Sequence, residues 1–443
     1  MFLRSVSRSM VSVLLVLLSG CGGGSSQDTR LADALDGFIK PYMAANGITA
    51  TTLAVMKNGQ ILYEKSYGYQ DLAGTTPLRS NALMTGASIV KPVTAAAIQA
   101  LASAGSLLLS DKVFCPDVAT SPSPSHHCWL SKSLWSAADS RIANITIAHL
   151  LAHQGGWNRA GTACYAYQNP STDNSKTAAI QLVLQASGTP CDPLQHEFIV
   201  QDQLGLISPT LTQPTLEQDI SFFMRGSLDY DPGTTPPAGM DQYSNFGYVL
   251  LGYIIEKVSG QTYNNYVNST ILAPLGISAA DFQDSHSLIA NADPREPNYI
   301  TTVIAPSIFV PGTLVSARNG ALNASNFVAA ATSMMTAKAM ALFASFYKID
   351  TNANSVDCIN NGKPLAGVPN SGFHYGDLPG TAAVVSQSTS GISYAVLMNR
   401  NDKYEGAGAS TGCGSCGGNA GPLQNTSIAV RVGINAAIAS AGY

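Results

Sequence analysis

Apolar residues recur at helical spacing near the start of the chain. Leu31, Leu35, Phe38, Ile39 and Tyr42 share one face of residues 29–46, which predicts an amphipathic helix. The period then changes. "TTLAVMKNGQILYEKSYGY" (51–69) reads as two strands around Lys57-Asn58-Gly59, because Asn-Gly takes the positive φ angles of a tight hairpin turn. Helical patterning returns at 89–104, 145–153, 246–259 and in the apolar run 327–347. Two or three further strands fall within 371–401, and 421–441 ends in a helix.

Strands therefore stand near both ends and helices between them. This predicts an α+β (α/β) architecture: an antiparallel sheet built from both termini, flanked by helices, with a mostly helical region inserted. No βαβ nucleotide-binding repeat and no phosphate-cradling glycine loop is seen. Residues 115–140 and 158–215 break the periodicity and read as surface insertions in a domain spanning 29–443.

The N-terminus changes the picture. Arg4 and Arg8 precede an apolar run ending at Ser19-Gly20, which reads as an export signal over 1–20, too short for a mature membrane span. Leu18-Ser19-Gly20-Cys21 resembles a bacterial lipobox, implying a lipid on Cys21 and a membrane anchor, with Gly22 rather than aspartate behind it resembling outer-membrane sorting and 21–28 as a flexible tether. Export implies an oxidising compartment, so Cys115–Cys128 and Cys164–Cys191 are candidate disulfides, with Cys358, Cys413 and Cys416 an odd set. Charged residues are only 11% of the chain and the formal charge is −4, which excludes nucleic acid as a partner.

The candidate chemistry starts in "TGASIVKPVTAA" (85–96). Ser88 and Lys91 are three apart, a spacing that puts both on one helix face, and Pro92 fits only in a first turn. A serine hydroxyl needs such a base, and the start of a helix favours developing negative charge. A second Ser-x-x-Lys, Ser345–Lys348, reads as a surface turn. Tyr-x-Asn occurs at Tyr167, Tyr243, Tyr263 and Tyr266, and His/Lys-x-Gly at Lys57, His153 and His374. Gly408-x-Ser410-x-Gly412 has the form of a nucleophile elbow but no histidine downstream. His149 and His153, and His126-His127, read as packing or loop residues rather than metal ligands, so neither metal nor organic cofactor is expected.

Four blocks resemble the class C β-lactamases and their relatives: "GASIVKPVTAAAIQALASAGSLLLSDKV", "ITIAHLLAHQGGW", "FGYVLLGYIIEKVSGQTYNNYVNSTILAPLGI" directly behind Tyr243-Ser244-Asn245, and "FHYGDLPGTAAVV". The resemblance implies a β-lactamase/transpeptidase-like fold and an acyl-serine mechanism. Ser88 would be the nucleophile and Lys91 its activating partner. Tyr243 would carry the proton to the leaving group, and which of Lys91 and Tyr243 is the formal base stays open. Asn245 would bond Lys91 and the substrate, and the backbone N–H groups of Ser88 and Asp377 would form the oxyanion hole. His374, Tyr375 and Gly376 would line the substrate strand. β-Lactamases carry lysine where this chain has His374. His-x-Gly is similar instead to some D-alanyl-D-alanine carboxypeptidases, D-amino-acid peptidases and family VIII esterases. Arg318 is a candidate to meet a substrate carboxylate in place of that lysine. The expected substrate is a small ester or a peptidoglycan-type peptide. The alternatives are a true β-lactamase, or a non-catalytic peptidoglycan-binding scaffold on the same fold.

Overall fold

A computed structural model describes residues 26–158, 212–349, 371–402 and 426–443, short gaps at 118–119, 136–138, 239, 241 and 311–312 aside, with residues 197, 200, 201, 204, 363 and 365. Expectations for Cys21, Cys164, Cys191, Cys358, Cys413, Cys416, Tyr167, Ser410 and most of 158–215 lie outside the described residues.

The central sheet has five antiparallel strands: β1 (Ala50–Lys57), β2 (Gln60–Gly68), β3 (Gly372–Leu378), β4 (Thr381–Gln387) and β5 (Ile392–Met398). Their spatial order is β3-β4-β5-β1-β2, so both ends of the chain meet where β1 pairs with β5. Asn58 (φ 50°) and Gly59 (φ 78°) close the β1–β2 hairpin as their sequence predicts. Period-two alternation gives the sheet two apolar faces. Leu53, Val55, Val384, Tyr394 and Val396 face α1 (Ser26–Asn46) and the last helix, through Leu31, Leu35, Ile39, Val430, Ile434 and Ile438. Ala54, Met56, Ala383, Val385, Ala395 and Leu397 face the helical body.

That body contains α2 (Lys91–Ser103), α3 (Ile147–Leu151), α4 (Leu216–Phe223), α5 (Asn245–Ser259) and α6 (Ala337–Phe346), and α7 (Thr426–Ser440) ends the chain. Ser244 caps α5, its hydroxyl accepting from Gly247 N–H, and Gly260 (φ 69°) ends it in the left-handed conformation.

Two expectations change. The run 327–347 is not one helix: a π-turn (Val328–Thr332) and a short strand (Met334–Met335) precede α6. Hydroxyls divert its backbone, Thr332 donating to Ala324 O, Ser333 to Val328 O, and Thr336 capping α6. Nor is 115–140 a surface insertion throughout. Cys115 and Cys128 are joined, Cα atoms 5.1 Å apart, and Trp129, Leu130 and Trp135 lie in the main core.

Against this body Glu197 and Asp219 are both buried, and Asn326 Nδ2 donates to Asp219 Oδ2 (2.7 Å) and approaches Glu197 Oε1 at 3.5 Å. Burial pushes both carboxyls above their ordinary range, Asp219 to about 7, and the Asp219 carboxylate pushes Glu197 further. A raised acid binds its proton in the folded state first, so the stability it gives is present at low pH and lost as pH rises through the folded value. Asp219→Asn should therefore remove on the order of 2 kcal/mol of stability loss between about pH 5 and 8. Urea unfolding across that range checks this, and parallel curves for the two proteins would rule it out.

Candidate active site

The short turn Ala87–Val90 leads directly into α2 and delivers Ser88 and Lys91 to one point. Ala87 takes φ 48°, an uncommon conformation for a residue with a Cβ, directly before Ser88. Lys91 is wholly buried, and an ammonium there costs several kcal/mol unless well paired. Its Nζ meets Ser88 Oγ at 3.0 Å, Asn245 Oδ1 at 2.6 Å and Ala330 O at 2.7 Å. The two carbonyl oxygens only accept, so they take two protons in either charge state. The third direction decides the chemistry: an ammonium donates to Ser88 Oγ, whereas a neutral amine turns its lone pair there and takes the serine proton.

Two aromatic faces complete the enclosure. Lys91 Nζ stands 4.9 Å from the Tyr243 ring centroid and 5.6 Å from that of Tyr248. Tyr243 and Asn245 come from the first turn of α5 and the segment entering it, both buried. His153 holds that segment. Its ring stacks on Tyr243 (centroids 4.4 Å, 24°), and its Nδ1 accepts from Ser244 N–H at 3.0 Å. The packing and hydrogen-bonding role expected of His153 is the one it has, but beside Tyr243, a nearness its sequence block shows only through resemblance.

β3 closes the site from the sheet side. Gly376 lies against the nucleophile turn, where a Cβ would run into the Gly86 carbonyl oxygen and the Ala87 methyl group. His374, two residues before it on the same face, is buried. Its Nδ1 lies 2.7 Å from Tyr375 O, and a carbonyl cannot donate, so Nδ1 carries the proton and Nε2 is left as an acceptor. Burial first, and the Lys91 charge second, push the imidazole down to about 4, so it is neutral at neutral pH.

Comparison with known proteins gives the family. The family model described as "Beta-lactamase" matches residues 35–407, most of the chain. The chain belongs to the beta-lactamase family. Among curated beta-lactamase relatives it is 26% identical over 263 residues to "Penicillin-binding protein 4*" of Bacillus subtilis, covering 59% of this chain and 44% of that one. It is 24% identical over 253 residues to "Esterase EstB" of Burkholderia gladioli, covering 57% and 52%. The chain thus spans about half the length of these relatives. A solved structure described as a "Beta-lactamase/D-alanine Carboxypeptidase" from Yersinia pestis aligns with a TM-score of 0.55 at 17% identity, over 94% of this chain and 99% of that one, which shows the same fold. Membership of this beta-lactamase-fold serine hydrolase family is what these matches share.

Within the beta-lactamase frame, two expected substrate contacts are corrected. Arg318 is buried and its NH2 group donates to Glu296 Oε1 (2.8 Å), Thr85 Oγ1 (2.7 Å) and Ser285 Oγ (3.0 Å). A guanidinium so engaged braces Thr85, next to the nucleophile turn, rather than meeting a substrate carboxylate. The Tyr375 side chain leaves β3 on the face opposite His374, where its Oη accepts from Arg431 Nε at 2.8 Å. The decoys separate. Tyr263 is buried with its Oη 2.7 Å from Thr94 Oγ1, and Lys57 ends β1, paired with Gln60 across the hairpin. Ser345 lies near the end of α6, 2.6 Å from Ser393 Oγ, not on a surface turn. His149 completes the α3 capping box, and His127 pairs with Asp111. No group of three or more His, Cys, Asp or Glu side chains able to hold a metal occurs among the described residues.

A ring-nitrogen NMR titration tests the state of His374. Its midpoint should lie near 4, with the proton on Nδ1 in the neutral form, and should rise in Lys91→Met. A midpoint near 6.5 would contradict the burial argument.

Proposed function

We propose that this protein is an exported serine hydrolase that cleaves an ester or a D-amino-acid peptide bond through an acyl-Ser88 intermediate. The observation that carries the reading is the approach of Lys91 Nζ to Ser88 Oγ inside a network closed by Asn245 and walled by Tyr243. Ser88 Oγ attacks the carbonyl carbon while its proton passes to the Lys91–Tyr243 pair. The oxyanion accepts from the N–H groups of Ser88 and Asp377. Collapse breaks the bond to the leaving oxygen or nitrogen, which takes its proton through Tyr243. A water molecule then repeats the sequence and frees Ser88.

The neutral His374 ranks the substrates. An acceptor-only Nε2 repels a carboxylate oxygen, which also needs a donor, and Arg318 is engaged with Glu296. Esters and D-amino-acid amides, which present no carboxylate beside the scissile bond, therefore come first, and peptides cleaved at a free C-terminal residue share with β-lactams a carboxylate that needs a cation. The relatives named as a penicillin-binding protein and an esterase support that range without choosing within it. Export is supported by the joined Cys115 and Cys128, and attachment to a membrane would come from a lipid on Cys21, supported by Leu18-Ser19-Gly20-Cys21. No helix among the described residues is long and apolar enough to cross a membrane.

Intact-mass spectrometry with penicillin G, a short-chain p-nitrophenyl ester and a D-alanyl-D-alanine peptide tests the mechanism. An adduct or turnover is expected with the ester or the peptide, and Ser88→Ala should lower turnover by on the order of 10⁴-fold. Wild type inert to all three, with no adduct, would refute the reading. In His374→Lys, acylation by penicillin G should rise about tenfold, the worth of one charge-assisted hydrogen bond. An unchanged rate would show that the imidazole does not set the preference.

A further inference from the structure

β3 is an edge strand: β4 pairs along one side, and the nucleophile turn lies along the other. Among the described residues one hydrogen-bonded ladder is therefore its only strand partner, yet the proposed mechanism asks it to hold the Asp377 N–H to within a fraction of an ångström. Its outward side chains show what else holds it. Phe373, Tyr375 and Asp377 alternate with His374 and Gly376, and all three meet residues of α7. The Arg431 guanidinium lies 3.7 Å from the Phe373 ring centroid while its Nε donates to Tyr375 Oη at 2.8 Å. Ser427, wholly buried, donates through Oγ to Asp377 Oδ1 at 2.7 Å, and Asn401 Nδ2 approaches the same oxygen at 3.4 Å. Ser427 and Arg431 are four apart and so share one face of α7.

We propose that Ser427 and Arg431 are positioning residues of the acyl-transfer site, clamping β3 from outside the cleft so that the Asp377 N–H stays aimed at the oxyanion. The inference rests on the acyl-serine reading above. Ser427 fixes the residue that carries the donor, and Arg431 fixes the two alternate positions before it. Neither touches the substrate. Losing either lets the strand end shift, and a misplacement of about 1 Å in a reacting geometry is worth up to about a hundredfold in rate. Substrate binding depends less on that one N–H, so the loss belongs in kcat rather than KM.

The test compares wild type, Ser427→Ala, Ser427→Thr and Arg431→Gln on a p-nitrophenyl ester, counting only molecules that a fluorophosphonate titrates. A boronic acid, whose tetrahedral adduct mimics the oxyanion, is measured alongside. Ser427→Ala and Arg431→Gln should each lower kcat about ten- to a hundredfold with KM changed less than about threefold, and boronate affinity should fall in step with kcat. Ser427→Thr, which keeps the hydroxyl, should recover most of the loss. Should Ser427→Ala fail to fold, Arg431→Gln carries the test alone. Folded variants with kcat and boronate affinity within twofold of wild type, whatever their melting temperature, would reduce the clamp to a structural contact. Wild type that is itself inert and unlabelled would instead overturn the acyl-serine reading and the clamp with it.

Discussion

A single amine in a dry place organises this molecule. Lys91 has no exposed surface, and the groups that make its burial tolerable come from three distant parts of the chain. They are Ser88 from its own turn, Asn245 from the start of α5, and the Ala330 carbonyl from the π-turn before α6. Removing any acceptor would leave a proton of a buried amine unmatched, a cost of about 1–3 kcal/mol or more. The same demand explains the oddities nearby. The chain turns through φ 48° at Ala87 to bring Ser88 and Lys91 together. It forms a π-turn over Val328–Thr332, an arrangement that is rare and concentrated at functional sites, where Ala330 O and Ala329 O point at Lys91 and Thr94.

The amine also sets the electrostatics of its neighbours. His374 is neutral because it is buried and because Lys91 is close, in that order. The buried, neutral imidazole thus offers an acceptor where β-lactamases carry lysine. Arg318 is kept apart by its own ion pair with Glu296, so its charge is satisfied before a substrate arrives. One buried amine thus touches both sides of the site: its Nζ meets Ser88 Oγ, and its nearness lowers the His374 imidazole further than burial alone does.

What the sequence made legible were features with a local code. The period change at 51–69, the Asn58-Gly59 turn, the strands of 371–401 and the capped helices all follow from side-chain spacing or turn chemistry, and the structure has them. Ser88, Lys91, Tyr243, Asn245 and His374 were separable from their decoys only through flanking blocks, since each motif recurs. The structure brings Ser88, Lys91, Tyr243 and Asn245 into contact range and sets His374 within the field of Lys91. The Ala330 carbonyl had no letter to betray it, because every residue carries one. Arg318 and Tyr375 misled for a related reason. Their partners, Glu296 and Arg431, lie far along the chain, and spacing alone does not say which face of a strand meets the cleft. The helix expected over 327–347 failed because apolar periodicity is blind to hydroxyls that bond back to the main chain.

The edge position of β3 answers to the same crowding around Ser88. A catalytic strand buried in mid-sheet would be rigid but would have a neighbour where the nucleophile turn must lie. At the edge it frees that side for Gly86–Ser88, and Gly376 allows the approach. The cost is a missing ladder, and the outward face of β3 supplies the replacement. Its three side chains meet a serine and an arginine one turn apart on α7, while α1 and α7 together cover the outer face of the sheet. The last helix, which reads in the sequence only as an amphipathic end, therefore does more than cover apolar surface. Ser427 and Arg431 of α7 thereby join the strand that packs against the Ser88 turn, more than three hundred residues earlier in the chain.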